Sequence, residues 1–227
     1  KKDADVMAQN VEFTTDGATF TLKTKDECFS VKLHMNGMFS VYNVLAALTV
    51  AITQGFDVKD AAEGLANVKG VAGRFEIVHK KPMVIVDYAH TPDGLKNVLK
   101  AGREITPEGA NLICLFGCGG DRDATKRPKM AAIAEELSDK VVVTSDNPRS
   151  ENPDQIIADI MAGFKSVDTD KVVVEPDRGS AIALLKNISN ENDVVIIAGK
   201  GHEDYQILKD KTIHFDDREE AAKVFGK

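Results

Sequence analysis

Val141-Val-Val-Thr-Ser-Asp-Asn-Pro-Arg149 is an apolar run that empties into a polar, proline-stiffened loop, and a helical pattern at 153–164 follows it. A short, wholly apolar run predicts a strand buried on both faces rather than one. The same rhythm of strand, loop and helix recurs on either side. Apolar runs stand at 83–86, 112–116, 172–174 and 194–198, with helical patterns near 93–104, 126–137, 178–188 and 216–225. Alternation of this kind predicts an α/β fold: a Rossmann-like, doubly wound, mostly parallel sheet of about six strands. Two short segments, 206–208 and 212–215, flank Lys209-Asp-Lys211 and are expected to form a hairpin at the sheet edge.

Upstream of Gly73 the pattern differs. Short alternating segments between residues 11 and 33, separated by Asp16-Gly17 and Lys25-Asp-Glu27, read as a β-meander. Helical patterns at 41–53 and 58–66 follow, closed by Gly55 and by Gly70-Val-Ala-Gly73. A boundary there gives two domains, 1–72 and 73–227, the first a small α+β piece. The sequence contains no internal repeat and no low-complexity tract.

Composition narrows the function. The 227 residues suffice for a substantial core, and 43% hydrophobic content argues against disorder. A net charge of −7 and a pI near 5.3 disfavour a general binder of nucleic acid backbones. Cys28, Cys114 and Cys118 form no CxxC pair, which suits a reduced, cytoplasmic protein. No apolar stretch approaches the length needed to span a bilayer, so no membrane association is expected. The chain opens on Lys1 without a hydrophobic signal region and without an initiator methionine, and it reads as cut from something longer.

Five apolar runs end in polar loops: Asp87-Tyr-Ala-His-Thr-Pro-Asp93, Gly117-Cys-Gly-Gly-Asp-Arg-Asp123, Ser145-Asp-Asn-Pro-Arg149, Glu175-Pro-Asp-Arg178 and Gly199-Lys-Gly-His-Glu-Asp204. In a parallel sheet all five leave from the carboxyl edge, where ligands of this architecture bind. Any one of them alone is an ordinary βα loop; together they predict one site. Pro148 restricts both itself and Asn147, so Arg149 can offer a planar fork to a carboxylate at little ordering entropy. Glu203 can receive a ligand ammonium, and Arg122 sits in a glycine loop where backbone approaches closely. Lys126 and Arg127 read as the start of a solvated helix face, and His79 and His214 as structural or exposed.

Several familiar sites are absent. Gly-Cys-Gly-Gly-Asp-Arg lacks the third glycine of a dinucleotide fingerprint, and Gly199-Lys200 lacks the leading glycine and the Ser/Thr of a phosphate loop. His202-Glu203 has no second histidine for zinc, so no metal site and no catalytic residue is assigned.

Gly73-Arg-Phe-Glu76, the loops beginning at Asp87 and Gly117, Lys126-Arg-Pro128, Asp146-Asn-Pro-Arg149 and Gly199-Lys-Gly-His-Glu203 together resemble the Mur ligase family of peptidoglycan synthesis, in order and over essentially the whole chain. The resemblance implies ATP-dependent, Mg2+-assisted amide synthesis by a monomer. Meso-diaminopimelate is added to UDP-N-acetylmuramoyl-L-alanyl-D-glutamate through an acyl phosphate, and Asp-Asn-Pro-Arg goes with diaminopimelate rather than lysine. Carried over by position, Arg122, Asn147, Arg149, Gly199 and Glu203 bind diaminopimelate, with Asp146 and Pro148 shaping the turn. Asn43, Arg74, Asp87 and His90 match positions that face ATP, although Arg74 and Asp87 could equally tie a hinge. Ser40 departs from the family's usual Asn. The family's phosphate loop, carbamylated lysine and UDP-sugar domain would lie upstream, so residues 1–72 would be the end of the central ATPase domain, and the chain should not turn over alone. Two rivals are a non-catalytic α/β amino-acid-binding module and a related ligase that uses L-lysine or glutamate.

Overall fold

A computed structural model describes residues 4–14, 16–166 and 170–226. Contacts divide the chain between Gly70 and Val71 into two units. In the first, strands β1 (Met7–Thr14), β2 (Gly17–Lys23) and β3 (Cys28–Leu33) form an antiparallel meander, followed by helices α1 (Met38–Thr53) and α2 (Val58–Ala66). Alternation in β2 sends Ala18, Phe20 and Leu22 inward, where they meet Val31 and Leu33 of β3 and Val41, Val44 and Leu48 of α1. Asp57 caps α2 by accepting the backbone N–H groups of Lys59 and Asp60.

The second unit opens with β4 (Glu76–Lys80) and β5 (Met83–Asp87), then α3 (Pro92–Ile105), β6 (Leu112–Phe116), α4 (Lys126–Leu137) and β7 (Lys140–Val143). It continues through α5 (Pro153–Met161), β8 (Val172–Val174), α6 (Arg178–Ile188), β9 (Val194–Ala198), β10 (Tyr205–Ile207), β11 (Thr212–His214) and α7 (Asp217–Phe225). Six strands form one sheet in the order β4-β5-β9-β6-β7-β8, parallel throughout except for β4. β5, β6 and β9 are buried at every residue, as strands covered on both faces must be. Val84, Val86, Ile113, Leu115, Val195 and Ile197 pack with Ala181, Ile182 and Leu185 of α6 and Ala221 of α7. On the opposite face α3 lies close enough that a Cβ on Gly102 would stand 2.6 Å from the Cδ1 of Ile196.

In this unit every helix but α4 starts where a side chain supplies an acceptor. Thr91, Asn152, Asp177 and Asp216 each cap the helix that follows, and Pro92 and Pro153 occupy the first turn, where a missing N–H costs nothing. Two differences from the sequence reading concern strands. β4 is the antiparallel edge strand; its residues alternate too weakly to announce it. The hairpin β10–β11 is a separate two-stranded sheet instead of an extension of the large one. Among the described residues no helix is long and apolar enough to cross a membrane.

Candidate functional site

Strand order decides which loops meet. Because β9 lies between β5 and β6, loop 199–204 emerges between the loops that follow those strands, with the loop after β7 next in line. These four loops enclose an open cleft of about 540 Å³ whose lining includes His90, Arg122, Asp146, Asn147, Arg149 and Glu203. The fifth loop, 175–178, follows the edge strand and does not line the cleft. Its Arg178 is fully buried, with Nε and Nη2 each 2.7 Å from the Asp217 carboxylate and Nη2 also donating to the Ala198 carbonyl. Burial opposes this charge, but Asp217 beside it holds the guanidinium above its ordinary pKa. The pair ties the first turn of α7 to the end of β9 and contacts no ligand space.

The Asp-Asn-Pro-Arg turn is held by its neighbours. Asp146 and Asn147 are buried, and Gln206 Nε2 donates to the Asp146 carbonyl at 2.7 Å. The Asp146 side chain packs on Gly199, which has φ +121°; a Cβ there would stand 2.8 Å from Oδ2, so only glycine satisfies both the conformation and the space. Asn147 Oδ1 accepts from the Ile207 N–H at 2.9 Å, and Nδ2 donates to Glu203 Oε2 at 3.1 Å. Pro148 is buried outside the lining and shapes the turn. A Cβ on Gly120 would collide with the Pro148 carbonyl, so the glycine loop and the turn touch through backbone. Arg149 adopts φ +53°, uncommon for a side-chain-bearing residue, with its N–H on the Ile207 carbonyl and Nη1 on that of Gly120 at 2.8 Å. Its Nε and Nη2 make no hydrogen bond to the described residues.

Arg122 is exposed on the cleft and donates to the Asp121 carbonyl at 3.0 Å. Arg127 corrects the sequence reading. Far from solvated, it is 2% exposed and pairs with Glu151 and Asp159, each at 2.8 Å. Lys126 lines the cleft and donates to the His90 carbonyl. Cys118, also on the glycine loop, is buried, and burial pushes its thiol up to about 12.

The residues expected near a nucleotide separate. Arg74 is exposed with its guanidinium 4.8 Å above the Tyr88 ring, and His90, whose ring stands 4.6 Å from that of Tyr88, is exposed on the cleft. Asp87 is buried off the lining and accepts the N–H groups of Phe75 at 2.7 Å and Ala89 at 2.8 Å. Burial raises its pKa against the pull of those bonds. Asn43 belongs to the first unit, exposed on α1, where Ser40 is buried and donates to the Asn36 carbonyl.

Sequence reasoning passed over Lys200, Tyr88 and Tyr205. Lys200 is completely buried, and both tyrosines line the cleft; Tyr88 OH lies 3.5 Å from Glu203 Oε1, and the charge of Glu203 raises the Tyr205 phenol. The signal for Lys200 was its place between two glycines, which lets backbone turn a long side chain inward. Among the described residues no group of His, Cys, Asp and Glu is arranged to hold a metal ion. Guanidinium groups and a carboxylate on one cleft can hold a zwitterion at two points.

Residues 73–201 match the model of the Mur ligase, glutamate ligase domain, and residues 1–51 that of the Mur ligase middle domain. UDP-N-acetylmuramoyl-L-alanyl-D-glutamate--2,6-diaminopimelate ligase of Syntrophomonas wolfei is 46% identical over 226 residues, covering 99% of this chain and 46% of the relative. The enzyme of the same name from Thermosynechococcus vestitus is 48% identical over 224 residues, covering 97% and 44%. A solved structure of a ligase of that name superposes with a TM-score of 0.72 at 36% identity, covering 99% of this chain and 46% of the other. The chain thus spans about half the length of the relatives it matches.

Proposed function

The chain belongs to the Mur ligase family, and from that premise we propose that it is the amino-acid-binding portion of an ATP-dependent ligase of peptidoglycan precursor synthesis. The ligase joins meso-diaminopimelate to UDP-N-acetylmuramoyl-L-alanyl-D-glutamate. Residues 73–227 form the amino-acid domain and 1–72 the end of the central ATP-binding domain. The observation that carries the reading is the bond from Asn147 to Glu203, which sets a carboxylate beside the turn that presents Arg149. Diaminopimelate has a second amino-acid centre that lysine lacks. Arg149, with Arg122, takes its distal carboxylate, and Glu203 takes the ammonium.

The chemistry is an exchange at one carbon. The D-glutamate carboxylate is phosphorylated by ATP; the diaminopimelate amine then forms the C–N bond as the C–O bond to phosphate breaks, with loss of a proton and of inorganic phosphate. The residues of this chain contribute orientation, which such a step needs most. Arg74 and His90, exposed beside Tyr88, suit the phosphate charge of ATP, and Asp87 steadies the loop below them. Mg2+ needs ligands beyond the described residues, and turnover needs the family's phosphate loop, so the chain alone is inactive. The enzyme works in the cytoplasm as a monomer.

Calorimetric titration of the chain should give tighter binding of meso-diaminopimelate than of L-lysine. Arg149→Ala should remove that preference at a cost of about 2 kcal/mol or more. Equal affinities in the unaltered chain, or a preference for glutamate, would sink the assignment.

A further inference from the structure

Lys200 places an ammonium where water does not reach. Its side chain is 0% exposed, and a buried cation persists only where its partners repay the lost hydration. Its partners are Asn147 Oδ1 at 3.2 Å and Glu203 Oε2 at 3.4 Å, with the Tyr205 ring centroid 5.6 Å away. Asn147 and Glu203 both line the cleft; Lys200 does not.

We propose that Lys200 is a positioning residue for amino-acid selection, tying the Asn147 amide to Glu203 and so setting which oxygen of Glu203 faces the ligand; this rests on the reading of the cleft as an amino-acid site. An asparagine amide has a donor end and an acceptor end of nearly equal shape, so its orientation is set by what surrounds it. At Oδ1 two donors converge, the Ile207 N–H and the Lys200 ammonium, while Nδ2 faces Glu203 Oε2. Oε2 is thereby occupied twice, and Oε1, 3.5 Å from the Tyr88 hydroxyl, is the oxygen that can take a ligand ammonium. Deleting the ammonium takes away one of the two donors that hold the amide and the countercharge beside Glu203. The amide keeps its orientation, because the Ile207 N–H still donates to Oδ1 and Glu203 still accepts from Nδ2, but it is held less tightly and the Glu203 carboxylate is freed to shift along the cleft wall. A ligand centre with both a carboxylate and an ammonium registers that shift more than the side chain of lysine, which has no distal carboxylate.

Lys200→Met keeps the aliphatic stem and removes the charge. In titrations of the 227-residue chain, the ratio of L-lysine to meso-diaminopimelate dissociation constants should fall at least tenfold. Hydrogen exchange of the Asn147 side-chain amide, followed by 15N–1H NMR without ligand, should accelerate. Once Asn147→Ala is present, Lys200→Met should cause no further loss of selectivity. Unchanged amide exchange, or affinities for both amino acids that fall together with the ratio intact, would overturn the proposal. Should the methionine variant fail to fold, Lys200→Gln retains a donor for Oδ1 without charge; it should keep the wild-type rate of Asn147 amide exchange, and accelerated exchange there refutes a role exerted through Asn147. A wild-type chain without any preference removes the reading of the cleft instead, and the amide exchange still decides whether Lys200 orients Asn147.

Discussion

Arg127 illustrates how far one residue can stand from its sequence context. In Lys126-Arg-Pro128, at the start of a helix, it looks like part of a solvated face, yet Glu151 and Asp159 close over it from the loop and helix beyond β7. Glu151 also accepts the Asp121 N–H, so Arg127 braces the glycine loop against the segment that follows Arg149. Breaking a buried pair by removing one partner costs about 3–5 kcal/mol. Glu151 and Asp159 each keep roughly a third of their side-chain surface in water, so Arg127→Met should cost less, about 2–3 kcal/mol. Urea unfolding should show a lower midpoint with an unchanged slope, and an unmoved midpoint would mean that the two ion pairs contribute nothing. The residues of the site divide along the same line. Asp146 to Arg149 were legible because their turn chemistry is written in four consecutive positions. Arg127 was not, since Glu151 and Asp159 arrive from more distant parts of the chain, and Lys200 was not, since its burial depends on Asn147 from another loop as well as on nearby Glu203.

At the scale of elements, what could be read was whatever one strand or helix decides alone. β6 and β9 are apolar throughout, β5 and β7 are apolar but for Asp87 and Lys140 at one end, and β2 of the first unit alternates cleanly, so composition and period were enough. β4 is half-buried along most of its length and pairs with only one neighbour, which leaves it neither period nor continuous apolarity. The hairpin β10–β11 was seen but misplaced, because its position is set by bonds outside its own strands: Ile207 N–H to Asn147 Oδ1 and Gln206 to the Asp146 carbonyl. The hairpin is therefore the backing of the Asp-Asn-Pro-Arg turn. It is linked to α7 by His214 and Glu219, whose Nε2 and Oε2 stand 2.7 Å apart. The hydrogen bond and the charge of Glu219 raise the His214 pKa above 6.5. A histidine raised on folding contributes stability that is fully present below pH 6.5 and is lost as pH rises through the higher folded value. An NMR titration of the His214 ring should therefore give a midpoint above 6.5, and Glu219→Gln should lower it; a midpoint unaffected by that substitution would separate the hairpin from α7.

Over the whole molecule, two cores are built separately, one around Phe20, Leu22 and Leu48 and the other on the six-stranded sheet. The three cysteines report on them independently. Cys28 is exposed on β3 in the first unit, whereas Cys114 lies within β6 and Cys118 two residues beyond its end. Burial both excludes reagent from Cys114 and Cys118 and pushes their thiols up to about 12, so each has roughly a thousandfold less thiolate than an ordinary cysteine at neutral pH. A thiol reagent at pH 7.5 should thus label one cysteine of the native chain within minutes and spare two. Since Cys114 lies within an inner strand of the sheet and Cys118 just beyond its end, they should become reactive together as urea unfolds residues 71–227, along one transition with one midpoint. Mass spectrometry of pulse-labelled peptides separates the positions. Labelling of Cys118 ahead of Cys114 would mean that the glycine loop opens before the sheet, and the cleft would then be a locally mobile site instead of a rigid extension of β6; coincident labelling makes the strands and the loops that carry Arg122, Arg149 and Glu203 one cooperative body, which is what two-point recognition of a small zwitterion requires.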